Sequence, residues 1–124
     1  MSIQTRCDNF KAMKIGGLSK EERSAVAQFT ARLRDRFPRE IEGIRLYGSK
    51  ARGSSHKESD VDVLILVKKR TGAIDEAVID IVCDILDESG VFIETVTMTS
   101  SDWGKAKEGQ FPFALNVERD GIQL

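Results

Sequence analysis

The chain has 124 residues, of which 40% are hydrophobic and 31% are charged, and its formal net charge at pH 7 is −1. This length and composition are typical of one soluble globular domain, and a nearly neutral chain lacks the excess of Lys and Arg that general nucleic-acid binding requires. The longest apolar stretch, residues 61–67, is too short to span a membrane, and the first residues do not resemble a signal segment. We therefore expect a cytoplasmic protein that does not associate with membranes.

Cysteine and histidine usage excludes several kinds of site. Cys7 and Cys83 are the only cysteines, and Cys83 lies in an apolar helical pattern that predicts a buried free thiol. Two cysteines in such surroundings give little support for a disulfide. Because His56 is the only histidine, a His-based triad or a zinc site is not expected.

The chain opens with an extension and a helix. Residues 1–17 show no periodicity and end in a glycine pair, which predicts a flexible extension ahead of one domain, 18–124. Ser19 and Glu22 have the spacing of a capping box, in which each residue satisfies a backbone N–H of the other. Pro38 ends the helix, whose apolar residues recur at helical spacing: Val26, Phe29, Leu33 and Phe37.

The middle of the chain predicts two strands and a second helix. Residues 41–47 form a short apolar strand that leads into Gly48-Ser49, and residues 60–67 form a second strand. Gly90 is well placed to end a long helix. The apolar stripe of that helix consists of Ile74, Val78, Ile81, Val82, Ile85 and Leu86.

The last third predicts one strand and two helices. Residues 91–98 are rich in β-branched and aromatic types, which favour a strand. A short helix is expected over 103–108, and Pro112 suits the first turn of a final helix that closes near Asp120. The element order predicts an α/β (α+β) fold in which helices flank a small mixed sheet.

The main candidate site joins a Gly-Ser turn to two aspartates. Asp60 and Asp62 stand at i and i+2 on a predicted strand, so their side chains share one face. Two carboxylates so close repel each other unless a positive charge lies between them. A divalent metal beside a phosphate-binding turn would satisfy both features. The alternative is a pair of acids that caps a loop end.

The turn itself carries candidate phosphate ligands. Gly48 allows backbone amides to approach a phosphate, and Ser49 adds a hydroxyl donor. Arg52 could bind a phosphate through its positive charge, and Ser59 is a further candidate nucleotide contact. The alternative interpretation makes Gly48-Ser49 and Ser59 ordinary turn residues and Arg52 a solvated surface side chain.

Glu94 is the third candidate acid. It interrupts a strand face that is otherwise apolar, formed by Phe92, Val96 and Met98. A carboxylate on a buried face is costly unless it is paired or bound to a metal. If the third strand lies beside the second, Glu94 meets the two aspartates as a metal ligand or base. Otherwise it is an edge-strand acid that reaches solvent or a Lys.

These residues carry a family resemblance. Gly48-Ser49, ten intervening residues and Asp60-Val61-Asp62 match the GSx10DxD signature of the DNA polymerase β-like nucleotidyltransferase superfamily. The fuller segment GSKARGSSHKESDVDVLILV resembles the minimal nucleotidyltransferase (MNT) group, as does the ending from Pro112 to Leu124. The resemblance spans residues 41–124, and the helix over 20–37 fits the opening helix of the family. It implies the polymerase β-like fold.

The resemblance also implies roles and partners. Gly48 and Ser49 would hold the triphosphate of ATP, and Asp60 and Asp62 would bind two Mg2+ ions. The family's third carboxylate falls on Glu94, where many members have aspartate. Small MNT proteins resemble antitoxins that transfer AMP from ATP to a tyrosine of a HEPN-domain toxin, so a HEPN-domain partner is implied.

Three functions are compatible with these residues and with the resemblance. The first is an adenylyltransferase that modifies a HEPN-domain protein, and the second transfers a nucleotide to a small-molecule hydroxyl, as antibiotic-modifying relatives do. The third is an antitoxin that neutralises its partner by binding alone. Intact carboxylates at 60, 62 and 94 count against the third function. The short chain leaves little room for a small-molecule acceptor pocket, which counts against the second.

Overall fold

The computed structural model describes residues 17–53 and 60–124. The predicted extension, apart from Gly17, lies outside these ranges, as do His56 and the candidate nucleotide contact Ser59. The elements, in chain order, are α1 (Lys20–Arg36), β1 (Ile41–Tyr47), α2 (Gly48–Arg52), β2 (Val61–Val67), α3 (Gly72–Ser89), β3 (Ile93–Thr99), α4 (Ser100–Glu108), α5 (Pro112–Asp120) and β4 (Ile122–Gln123).

The strands form one mixed sheet in the order β3-β2-β1-β4. β1 runs antiparallel to both β2 and β4, while β2 and β3 run parallel, joined by the long helix α3. A parallel pair needs such a crossover connection, whereas the antiparallel pair does not. The predicted fold class, a small mixed sheet flanked by helices, is confirmed.

Local signals bound α1 and end α3 where the sequence predicts. The Glu22 backbone N–H donates to Ser19 Oγ at 3.1 Å, and the Ser19 N–H donates to Glu22 Oε1 at 2.9 Å, which completes the capping box of α1. α1 ends at Arg36, ahead of Pro38, and α3 ends before Gly90. α4 begins earlier than predicted, because the Thr99 hydroxyl accepts a hydrogen bond from the Asp102 N–H at 3.0 Å.

The two faces of the sheet are covered by different helices. Alternate residues of β2 point to opposite faces. Val63, Ile65 and Val67 share a buried cluster with side chains of α1 and α3. Leu64 and Leu66 instead pack with residues of α4 and α5, among them Trp103, Ala106, Ala114 and Val117. Asp62 lies two residues before Leu64, so it belongs to the face that α4 and α5 cover.

Some local expectations are wrong. Cys83 is exposed rather than buried, and Leu86 is 41% exposed. The sheet accepts only one side of α3, and the residues buried there are Ile74, Ala77, Val78, Ile81, Val82 and Ile85. β4 was not predicted, because two residues are too few for a periodic signal. None of the helices in the described ranges is long and apolar enough to cross a membrane.

Candidate functional site

Acidic side chains from two neighbouring strands meet where β1 ends and β2 and β3 begin. Asp62 is paired with Tyr47 of β1 on one side and with Glu94 of β3 on the other. Residues paired across neighbouring strands project from the same face within contact range. Asp60 lies two residues before Asp62, just ahead of β2. The structure therefore brings Glu94 beside the aspartate pair, as expected if β2 and β3 are neighbours.

The electrostatics of this cluster are unfavourable. Burial raises the pKa of Asp62, and the charges of Glu94 and Asp60 raise it further. Within the described ranges, no Lys or Arg forms an ion pair with any of the three carboxylates. The carboxylates thus repel one another without a compensating cation from the described part of the chain.

The environment of Glu94 differs from the buried face that the sequence suggests. β3 is an edge strand of the sheet, and the Glu94 side chain is exposed. The sequence argument that a buried carboxylate needs a partner or a metal therefore does not apply to Glu94. Its position opposite Asp62 and its electrostatic effect on that carboxylate remain the features that connect it to the cluster.

Gly48 brings the turn against the acids. Its φ of +79° lies in the left-handed region, which disfavours residues with a side chain. A Cβ at this position would lie 2.5 Å from Asp62 Oδ2. Only glycine therefore allows this backbone to pass so close to the carboxylate, and Ser49 follows directly in the first turn of α2.

The basic residues that follow the turn have other contacts. Arg52 is 43% exposed, and its Nη1 lies 3.6 Å from Asp120 Oδ2 of α5. Lys50, the basic residue directly after Ser49, points inward and pairs with Glu22. Contact of Arg52 with a nucleotide stays a prediction, and Ser59 lies outside the described residues.

Tyr47 lies at the site although it is not among the residues that the sequence predicts there. Its ring packs edge-to-face on Phe113 at 5.2 Å, and Phe113 packs in the same way on Trp103 at 6.3 Å. Burial, followed by the charges of Asp62 and Glu94, raises the pKa of Tyr47 to about 12. Its position directly before Gly48, at the end of β1, is the sequence signal that could have identified it.

The raised pKa of Tyr47 can be measured directly, because the chain contains a single tyrosine. We expect the phenol to remain protonated at pH 11 in the folded protein, where a tyrosine with the ordinary pKa of 10.0 is largely ionised. Absorbance at 295 nm follows the ionisation, and circular dichroism reports whether the fold persists. Because the folded pKa lies above the unfolded one, the stability tied to this group is lost as the pH rises from about 10 to about 12. Ionisation of the folded protein with the ordinary pKa would contradict the assigned environment.

The carboxylate cluster has the chemistry of a site for a hard divalent cation. Among the described residues, no group of three or more His, Cys, Asp or Glu side chains is arranged to hold a metal ion. Mg2+, however, takes oxygen ligands and is commonly held by one or two carboxylates together with substrate phosphates. A cation at Asp60, Asp62 and Glu94 would also relieve the repulsion that, after burial, contributes to the raised pKa of Asp62. The donor set therefore fits Mg2+.

Sequence comparison relates this chain to known proteins. Residues 26–112 match the sequence model of the nucleotidyltransferase domain. The chain is also 32% identical, over 104 residues, to MJ0604 of Methanocaldococcus jannaschii, a candidate protein adenylyltransferase. This alignment covers 83% of the chain and 97% of MJ0604.

Two solved structures share the fold at low sequence identity. One is the crystal structure of a toxin–antitoxin with AMP-PNP, with a TM-score of 0.55 at 19% identity, covering 85% of this chain and 72% of that one. The other is a mutant of the toxin–antitoxin MntA–HpeT, with a TM-score of 0.52 at 16% identity, covering 76% of this chain and 68% of that one. At such identities the likeness concerns the architecture.

Proposed function

Because the chain belongs to the nucleotidyltransferase domain family, we propose that it transfers AMP from ATP to a tyrosine hydroxyl of a HEPN-domain toxin and thereby acts as its antitoxin. The chain is an enzyme of the MNT type, a nucleotidyltransferase, as its motif predicts. The acceptor, the nucleotide and the dependence on Mg2+ are the proposed part.

One observation carries the proposal: the register places Asp62 beside Glu94 on one side and close to the Gly48 turn on the other. A triphosphate held by Gly48 and Ser49 would therefore lie next to the carboxylates. Within the described ranges no Lys or Arg offsets the negative charge of those carboxylates, and a nucleotide bound with a divalent metal would supply positive charge there.

Each residue has a proposed role. Gly48 and Ser49 would hold the triphosphate, and Asp60, Asp62 and Glu94 would hold two Mg2+ ions. The charge of these ions would stabilise the negative charge on the attacking and leaving oxygens. The acceptor hydroxyl oxygen forms a bond to the α-phosphorus, the bond to pyrophosphate breaks, and Glu94 takes the hydroxyl proton. Ser59 is a further proposed nucleotide contact, and Arg52 would have to leave Asp120 to become another.

The relatives support the nucleotide and the partner. MJ0604 is a candidate protein adenylyltransferase, which suggests a protein acceptor. One similar toxin–antitoxin structure contains AMP-PNP, an ATP analogue. The MntA–HpeT mutant carries glutamates in place of two aspartates at i and i+2, the spacing of Asp60 and Asp62. These likenesses make a toxin partner and ATP the first choices to test.

The proposal predicts a covalent change in the partner. When the protein is incubated with a HEPN-domain toxin, ATP and Mg2+, we expect the intact mass of the toxin to rise by one or more AMP units. Peptide sequencing should locate the AMP on tyrosine, and the reaction should stop when EDTA removes the metal.

Other outcomes distinguish the alternatives. If the toxin binds without gaining mass, while wild type and Asp60→Ala neutralise it equally well, the chain acts by binding alone. If neither binding nor modification is observed, a small-molecule hydroxyl becomes the better acceptor. Either result contradicts the proposal of protein adenylylation.

A further inference from the structure

Lys50 is a buried cation one residue beyond the Gly48-Ser49 turn. Its side chain is only 2% exposed, and its Nζ lies 2.9 Å from Glu22 Oε2 and 3.1 Å from Glu22 Oε1. Glu22 is itself only 13% exposed and also accepts the Ser19 backbone N–H in the capping box. The carboxylate that starts α1 therefore also binds the ammonium group of α2.

A backbone contact reinforces this ion pair. A Cβ at Gly17 would overlap the carbonyl oxygen and Cα of Lys50. The segment 17–22 thus meets α2 twice, through the Gly17 backbone and through the Glu22 carboxylate. Both contacts fall on Lys50, next to the two residues proposed to hold the triphosphate.

α2 depends on tertiary contacts for its position, and β1, β2 and α5 contact it as well as the segment 17–22. It spans only Gly48–Arg52, and a helix of this length is not stable by itself in water. Its N-cap residue, Tyr47, makes no side-chain capping hydrogen bond. The Gly48 backbone, at the start of α2, lies so close to the Asp62 carboxylate that a Cβ would not fit between them. A shift of α2 therefore alters the distance between the turn and the carboxylates.

We propose that Glu22 and Lys50 form a positioning pair, through which the start of α1 holds the Gly48-Ser49 turn in register with Asp62 for triphosphate binding. The family match begins at residue 26, so Glu22 and Gly17 precede the region that it covers. This inference rests on the proposed nucleotide site but does not depend on the acceptor.

The test separates positioning from stability. Removing one partner takes away the buried counter-ion of the other and can unfold the protein, whereas replacing both partners with apolar residues is often neutral or stabilising. The informative variant is therefore Glu22→Leu combined with Lys50→Met. The matched control is Arg32→Met combined with Glu88→Leu, which removes an exposed ion pair of 2.8 Å between α1 and α3.

The measurements are the dissociation constant of AMP-PNP with Mg2+ by calorimetry, the melting temperature, and amide hydrogen exchange of peptides that cover residues 47–53. For Glu22→Leu/Lys50→Met we expect a folded protein whose melting temperature falls only by the amount that loss of the capping-box hydrogen bond from the Ser19 N–H to Glu22 causes. Its dissociation constant should rise about tenfold, because a displaced turn would lose a charge-assisted hydrogen bond to the triphosphate. Its residues 47–53 should also exchange faster. The control pair should behave as wild type in all three measurements.

A folded Glu22→Leu/Lys50→Met variant with wild-type affinity and unchanged exchange at 47–53 would overturn the proposal. If that variant does not fold, Gly17→Ala probes the same contact with both charges in place, and the same rise in dissociation constant is expected. If wild type itself does not bind AMP-PNP, the proposed nucleotide is wrong, and hydrogen exchange at 47–53 still decides the role of the pair.

Discussion

Asp62→Asn is expected to abolish nucleotidyl transfer while it raises the melting temperature. Asp62 occupies the centre of the cluster, between Glu94 and Tyr47 and against the Gly48 turn. An amide keeps the shape of the carboxylate but lacks its charge, so binding of a metal–nucleotide complex should weaken sharply. We expect turnover to fall by about 10²–10³-fold or more, the scale of losing one electrostatic contact in a catalytic site.

The gain in stability follows from the pKa of Asp62, which lies above its ordinary value of 3.8 because of burial and the charges of Glu94 and Asp60. An acid with a raised folded pKa destabilises the fold when it ionises, so stability falls as the pH rises from 3.8 through the raised pKa. Asn cannot ionise and removes this penalty at pH 7. The difference in melting temperature between variant and wild type should therefore shrink as the pH falls below 3.8.

Calorimetry of ATP with Mg2+ and with EDTA measures the binding, and thermal denaturation at several pH values measures the stability. The control is Asp80→Asn, which changes an exposed aspartate of α3 outside the site. It should alter neither ATP affinity nor turnover. Equal ATP affinity with and without Mg2+, in wild-type protein shown to be folded, would contradict a metal site at Asp62.

Gly48→Ala is expected to eliminate activity by a steric route. The φ of +79° costs an alanine about 1–2 kcal/mol of strain. In addition, the new Cβ would lie 2.5 Å from Asp62 Oδ2, so either the carboxylate or the turn must move. A lower melting temperature and a loss of ATP binding should therefore appear together.

Gly90→Ala provides the matched control for this prediction. Gly90 has a similar φ of +74°, but no heavy atom lies within 4 Å of the position of its Cβ. This variant should lose a comparable amount of stability while its ATP affinity and turnover stay at the wild-type level. If Gly48→Ala binds ATP as tightly as Gly90→Ala does, the close approach of the turn to Asp62 is not required for nucleotide binding.

Local order follows directly from the sequence. The capping box of Ser19 and Glu22 and the apolar spacing of α1 and α3 depend on residues within a few positions of one another, and the structure has these elements where the sequence predicts them. The Gly48-Ser49 turn and the two aspartates of the motif are local as well, which is why the family could be recognised before the fold was known.

Tertiary structure decides which of those residues meet. Only the parallel pairing of β2 with β3 places Glu94 opposite Asp62, and no local signal sets the register between strands so far apart in sequence. The same holds for Tyr47, whose ring lies at the site because β1 ends beside the start of β2 and because Phe113 of α5 packs against it.

The charge contacts and the exposure of individual side chains are likewise decided by the tertiary structure rather than by the local sequence. Lys50 follows the Gly48-Ser49 turn directly in the sequence, yet its ammonium group is buried against the Glu22 carboxylate of α1. Leu86 and Cys83 fit an apolar helical pattern, but the sheet covers only one side of α3 and leaves both exposed.

The sequence by itself determines the elements and the motif, because those depend on neighbours along the chain. The contacts that assemble the candidate site depend on strand register and helix packing between distant segments, and only the tertiary structure supplies them.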